Sequence, residues 1–151
     1  LPYSISGPFL ARLPGRNLLG ATLLLQREVA DKAAGPLAGG EWSPLSIRLA
    51  LAFVAKVGRR LPPEVFWPRP RIESAFLQLT PRKDALPGPL DAALRLALRE
   101  SFGQRRKRLL GRLHKSMPQW AAALESCDVG PEARPGEIGP EIWRAAVQRL
   151  S

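Results

Sequence analysis

The run Phe66-Trp67-Pro68-Arg69-Pro70-Arg71 sets two aromatic rings beside two guanidinium groups in a segment that cannot be helical. Pro68 and Pro70 hold the backbone extended. Rings interleaved with cations suit a base turned out of a nucleic-acid strand, the rings stacking on it and the guanidiniums meeting its flanking phosphates. The same residues equally suit a proline-stiffened hairpin loop with one buried aromatic anchor. A second stretch is Leu1-Pro2-Tyr3, read as a loop turning into a helix. At the carboxyl end of a sheet strand, where open α/β sheets bind ligands, it offers main-chain carbonyls to an exocyclic amine and a ring to stack on a base. As a bare tripeptide it also fits a connection whose Tyr packs on its own domain.

The third stretch is Phe102-Gly103-Gln104-Arg105-Arg106-Lys107-Arg108, continuing to Lys115. Projected as a helix from Gln104 to Lys115, it places Leu109, Leu110 and Leu113 on one side and Arg105, Arg108, Arg112 and Lys115 on the other. Four cations with no acid between them favour a face that follows phosphates over a merely solvated one. Arg106 projects with Leu109 and Leu113, which predicts that it points into a cleft or interface. No nucleophile–base pair accompanies these stretches, and the single His114 and single Cys127 exclude a metal cluster or an internal disulfide.

The elements that must position these residues follow from pattern. Helices are predicted over 6–13, 26–34 and 43–54, the last capped by Ser43. Ala21 to Leu25 reads as a strand buried on both faces, as in a parallel sheet covered by helices. Lys56 to Leu61 and Ser74 to Thr80 read as an antiparallel pair flanking the proline-dense loop. From Pro89 onward only helices are predicted, over 90–101, 104–115, 118–127 and 140–150. The fold class expected is therefore α/β followed by a small all-helical unit, with one part at 1–82 and a second at 83–151. One such strand and an edge pair do not make a self-sufficient parallel sheet, so the chain is expected to begin inside a doubly wound domain, just after a central strand. Twenty-three Lys and Arg against 13 Asp and Glu give a net charge of +10, which points to a polyanionic partner. The apolar runs are too short to cross a bilayer.

Together and in this order, the three stretches resemble the adenine-N6 dimethyltransferases of ribosomal RNA. Leu1-Pro2-Tyr3 is similar to the tail of that family's Asn-Leu-Pro-Tyr motif, and Leu23 to Lys32 to the strand and helix that follow it. Phe66 to Ala75 is similar to Phe-x-Pro-x-Pro-x-Val-x-Ser-Ala, with Ile72 in the Val place, and Phe102 to Lys107 to Phe-x-Gln-Arg-Arg-Lys. Pro44-Leu45-Ser46 departs from the usual Arg-Leu-Ser.

The resemblance implies the C-terminal part of a Rossmann-like S-adenosylmethionine-dependent methyltransferase domain, followed by a helical RNA-binding domain. It implies N6-dimethylation of adenines in small-subunit ribosomal RNA during ribosome biogenesis, by a cytoplasmic monomer. A flipped adenine would stack on Tyr3 beneath Phe66, with its amine held by a carbonyl of Leu1 or Pro2. Arg69, Arg71, Arg105, Arg106, Lys107, Arg108, Arg112 and Lys115 would hold RNA. The motif's Asn and the cofactor's glycine-rich loop would precede Leu1. The rivals are a large-subunit methylase of the resistance type and a non-catalytic RNA-binding relative.

Overall fold

The computed structural model describes all residues except Leu1 and Ala38; of Tyr3 it describes the backbone alone. Its elements run α1 (Tyr3–Leu10), β1 (Ala21–Gln26), α2 (Arg27–Ala34), α3 (Pro44–Ala52), β2 (Phe53–Leu61), β3 (Ser74–Pro81), α4 (Gly88–Phe102), α5 (Leu109–Ser116), α6 (Pro118–Glu125) and α7 (Pro140–Arg149). Short 3₁₀ turns at Pro63–Val65 and Pro135–Glu137 punctuate two loops.

β3 lies between β1 and β2 and is antiparallel to both. β1 and β2 therefore point the same way, and both end beside Ser74. Cross-strand pairs Ala21–Leu79, Leu23–Leu77 and Leu25–Ala75 share one face of this sheet. That face carries the apolar cluster of Leu25, Ala75, Leu77 and Leu79, covered by Ala30 and Ala33 of α2 and Leu49 and Ala52 of α3. The opposite positions Thr22, Gln78 and Thr80 are exposed. This corrects the expectation that β1 is buried on both faces. The sheet has one dry face, and period-2 alternation in β3 puts every second residue outside it.

The edges of the helices differ from expectation by a few residues. α1 begins three residues early and gives way after Leu10 to single turns through Leu13. α3 starts as read: the Ser43 hydroxyl accepts the Ser46 N–H at 3.1 Å, and the Ser46 hydroxyl accepts the Ser43 N–H at 2.9 Å. That reciprocal cap is worth about 1 kcal/mol. The helix ends at Ala52 because Phe53 swings into β2 and joins the sheet core.

A second apolar cluster gathers Leu94, Ala97 and Leu98 of α4, Leu109 and Leu113 of α5, Trp120 and Leu124 of α6, and Trp143 of α7. α3 belongs to both clusters. Ile47 and Leu51 point into the helical one, Leu49 and Ala52 into the sheet one. Arg48, on the same helix, is buried and donates from Nε and Nη2 to Asp91 of α4 at 3.0 and 2.7 Å, and from Nη1 to the Ala11 carbonyl at 2.9 Å. A single guanidinium thus ties α1, α3 and α4.

The strap between β3 and α4 is held by charge. Arg82 donates its N–H to the Ala52 carbonyl, and its side chain reaches the Ala50 carbonyl, so it closes the end of α3. The same guanidinium forks onto Asp84 at 2.9 and 3.1 Å, and Arg144 of α7 also bonds the Asp84 carbonyl. The hydrogen bond from Arg82 is the largest cause holding the Asp84 carboxyl down at about 2, against an ordinary 3.8. A depressed acid contributes stability above its unfolded pKa, and that contribution is lost as pH falls through the folded one. Acid titration of stability should therefore show a component between about pH 4 and pH 2 that Asp84→Asn removes. An unchanged acid limb in that variant would show the fork to be inert.

Candidate nucleic-acid interface

The loop at the carboxyl ends of β1 and β2 gathers the aromatic and cationic residues singled out by sequence. Phe66 is half-buried, whereas Trp67 is 96% exposed. The Trp67–Pro68 peptide is cis. Arg69 pairs with Glu64 across the short turn. Arg71 is exposed and has no acidic partner among the described residues. At the end of the loop the Glu73 carbonyl accepts the N–H of Arg27, and the Glu73 carboxylate takes Arg27 Nη1 at 3.0 Å. The loop is thereby pinned to the first residue of α2, next to the Gln26–Ser74 pair.

Pro2 stands at the N-cap of α1. Its carbonyl already accepts the Ile5 N–H at 3.2 Å and the Ser6 hydroxyl at 3.0 Å, with Ser6 itself buried. Both lone pairs are directed into the helix, leaving no obvious acceptor there for a substrate amine. The expectations for Leu1 and for the ring of Tyr3 lie outside the described residues.

The basic segment after α4 is not one helix. Gly103 ends α4, the Lys107 N–H closes a turn onto the Gln104 carbonyl at 2.9 Å, and α5 begins only at Leu109. The cause is tertiary. The Leu109 N–H is taken by the Ala133 carbonyl at 2.8 Å, which draws the chain onto the loop before α7 and interrupts the helical ladder. Arg105, Arg106, Lys107 and Arg108 consequently sit in a turn, all exposed. The projection that placed Arg106 with Leu109 and Leu113 does not hold, since it presupposed an unbroken helix.

Nor are the expected cations free of acids. Arg105 pairs with Glu41, Arg108 with Glu132 at 2.7 Å, and Arg112 with Glu100 at 3.0 Å. The Arg112 hydrogen bond is the first cause lowering the pKa of Glu100. These carboxylates come from remote parts of the chain, so no local charge count could reveal them. Arg106, Lys107 and Lys115 have no acidic partner among the described residues.

With Arg108, Arg112, Gln104 and Arg134 they line a cleft of about 920 Å³. Arg134 is the residue that sequence reasoning missed: a lone cation in a loop, brought alongside α5 by the Leu109–Ala133 hydrogen bond. The assembly offers what a phosphate backbone needs, several guanidiniums and ammoniums converging from two segments on an open groove.

The fold matches that of solved ribosomal RNA methyltransferases. The chain superposes over 99% of its length on 62% of the crystal structure of the 23S rRNA methyltransferase ErmE, with a TM-score of 0.70 and 25% identity. It shares its fold with a dimethyladenosine transferase from Plasmodium falciparum, at a TM-score of 0.77 and 19% identity, covering 99% of this chain and 64% of that one.

The chain belongs to the ribosomal RNA adenine dimethylase family, whose model matches residues 1–141. It is 32% identical to the ribosomal RNA small subunit methyltransferase A of Gloeobacter violaceus, over all of this chain and 58% of that protein. To the protein of the same name in Anaeromyxobacter sp. (strain K) it is 36% identical, over 99% of this chain and 55% of the relative. It thus spans a little over half the length of the relatives it matches.

Proposed function

We propose that this chain is the target-side portion of an S-adenosylmethionine-dependent enzyme that N6-dimethylates adenines in small-subunit ribosomal RNA during ribosome biogenesis. The observation that carries the reading is similarity to small-subunit methyltransferases along the whole chain, at 32–36% identity. Residues 1–82 would complete the methyltransferase domain and 83–151 would form the RNA-holding one. The enzyme would act in the cytoplasm as a monomer; no helix among the described residues is long and apolar enough to cross a membrane.

The cofactor supplies an electrophilic methyl group when bound. The described residues offer no cradle for it. β1 passes from Gln26 directly into Arg27 of α2, without the glycine turn that lets a backbone approach a nucleotide.

What this chain would supply is positioning of the base. Tyr3 and Phe66 would stack on an extruded adenine, and the engaged Pro2 carbonyl favours Leu1 as the acceptor for its amine. Arg71 and the cleft cations would hold the phosphates on either side. Holding the amine in line with its methyl donor accounts for much of such a rate, which fits a site with no strong base.

Single-turnover methyl transfer to ribosomal RNA by the full-length protein tests this. Tyr3→Ala or Phe66→Ala should slow transfer by about 5- to 150-fold, the equivalent of roughly 1–3 kcal/mol of stacking, with RNA affinity kept within about twofold. Equal losses in rate and affinity would assign both rings to structure, and absence of dimethyladenosine in the product of the unaltered protein would refute the reading.

A further inference from the structure

A second basic surface lies at the other end of the sheet. The turns between α1 and β1 meet the start of α4 across a cleft of about 740 Å³, lined by Arg12, Arg16, Arg95, Asn17 and the buried Arg48–Asp91 pair. The approach is close: a Cβ on Gly15 would lie 3.6 Å from Gly88 Cα. β1 and β2 both begin at this end, so the cleft opens away from the loop that carries Phe66. Arg12, Arg16 and Arg95 are exposed and have no acidic partner among the described residues. The one carboxylate lining the cleft, Asp91, is already paired with Arg48 through both of its oxygens.

The surface does not stop there. Ala92, Arg95, Arg99 and Gly103 succeed one another at intervals of three and four along α4, so they share one face over about 16 Å. All four are exposed, and Arg99, like Arg95, lacks an acidic partner among the described residues. At the far end a Cβ on Gly103 would sit 3.1 Å from Arg112 Nη2, inside the cleft already described. The row therefore joins the two clefts.

We propose that Arg12, Arg16, Arg95 and Arg99 form a second contact for RNA phosphates, carrying the bound backbone from the α5 cleft along α4 to the amino end of the sheet. The proposal rests on the RNA reading above. Exposed arginines left unpaired while Arg105, Arg108 and Arg112 are matched by carboxylates, with Arg95 and Arg99 continuing along α4 from the cleft that Arg12 and Arg16 line, fit a repeating anion better than a single phosphate group. The contact lies away from the candidate base-holding loop, so it serves a large structured substrate and adds nothing for a short one.

The test uses the full-length protein in three forms: unaltered, Arg95→Gln/Arg99→Gln and Arg95→Lys/Arg99→Lys. Binding to small ribosomal subunit particles and to a short hairpin carrying the target adenines is titrated against salt. On particles, the Gln pair should flatten the log–log slope by about 1.4–1.8, and the Lys pair should leave it unchanged. On the hairpin all three should coincide. An unchanged particle slope for the Gln pair overturns the proposal, as does an equal fall on the hairpin. Co-sedimentation with phosphatidylcholine–phosphatidylglycerol vesicles that the Gln pair abolishes, with the particle slope intact, overturns it in favour of a lipid. Methyl transfer to the hairpin by the unaltered protein belongs to the functional reading alone, and its failure is seen separately from the binding slopes.

Discussion

Replacing Asp91 by Ala should lower the unfolding free energy by about 3–5 kcal/mol, the cost of leaving a buried cation without its counter-charge. Arg48 and Asp91 side chains are only 8% and 12% exposed and meet through two parallel hydrogen bonds. Attraction between them largely offsets the desolvation of both, so removing one partner exposes the full penalty of the other. The Ala11 carbonyl, the guanidinium's remaining partner, is neutral and cannot replace the carboxylate. A double exchange to apolar residues, Arg48→Met with Asp91→Leu, should recover most of the loss. Denaturant unfolding of the three forms decides the matter. A loss under 1 kcal/mol for Asp91→Ala would mean that water reaches the guanidinium.

Neutralising Arg106, Lys107 and Lys115 together should weaken RNA binding about 100-fold at 0.15 M salt and flatten its salt dependence by about 2–2.7 in log–log slope. These cleft cations, like Arg134, have no acidic partner among the described residues, so each is available to replace a counterion on the RNA. Arg108 differs, because Glu132 competes with phosphate for its guanidinium. Arg108→Gln should cost less than Lys115→Gln, and Glu132→Gln should strengthen binding by releasing Arg108. An exposed pair of this kind is worth at most about 1 kcal/mol, which bounds the gain at about fivefold. Fluorescence titration at several salt concentrations checks the series. Equal effects at Arg108 and Lys115, with none at Glu132, would show that the pairing is immaterial on RNA.

Much of the frame was legible because local signals and tertiary structure agree there. The Ser43 cap, the antiparallel pair around the proline loop and the helices after Pro89 other than α5 stand within a few residues of expectation. The stretch from Gln104 to Lys115 was misread for a physical reason. Arg, Lys, Gln and Leu are good helix formers, and the break is imposed by a hydrogen bond from Leu109 to Ala133, 24 positions away. The carboxylates opposite Arg105 and Arg108, and the Asp91 that holds Arg48, are equally remote in sequence. Motifs located the basic surface proposed to face phosphates; which of its charges are neutralised, and that Arg134 joins it, depended on packing.

α3 is the wall common to both apolar clusters, with Ile47 and Leu51 on one side and Leu49 and Ala52 on the other. Such a partition works as a ruler. Rocking either half would open a gap in the other's core, so this shared helix opposes changes in the span from the Phe66 loop to the α5 cleft. Under the proposed function, a nucleotide offered at another distance from the held backbone would have to bend the RNA, and the stiffness of one nine-residue helix would then become a criterion for choosing the target.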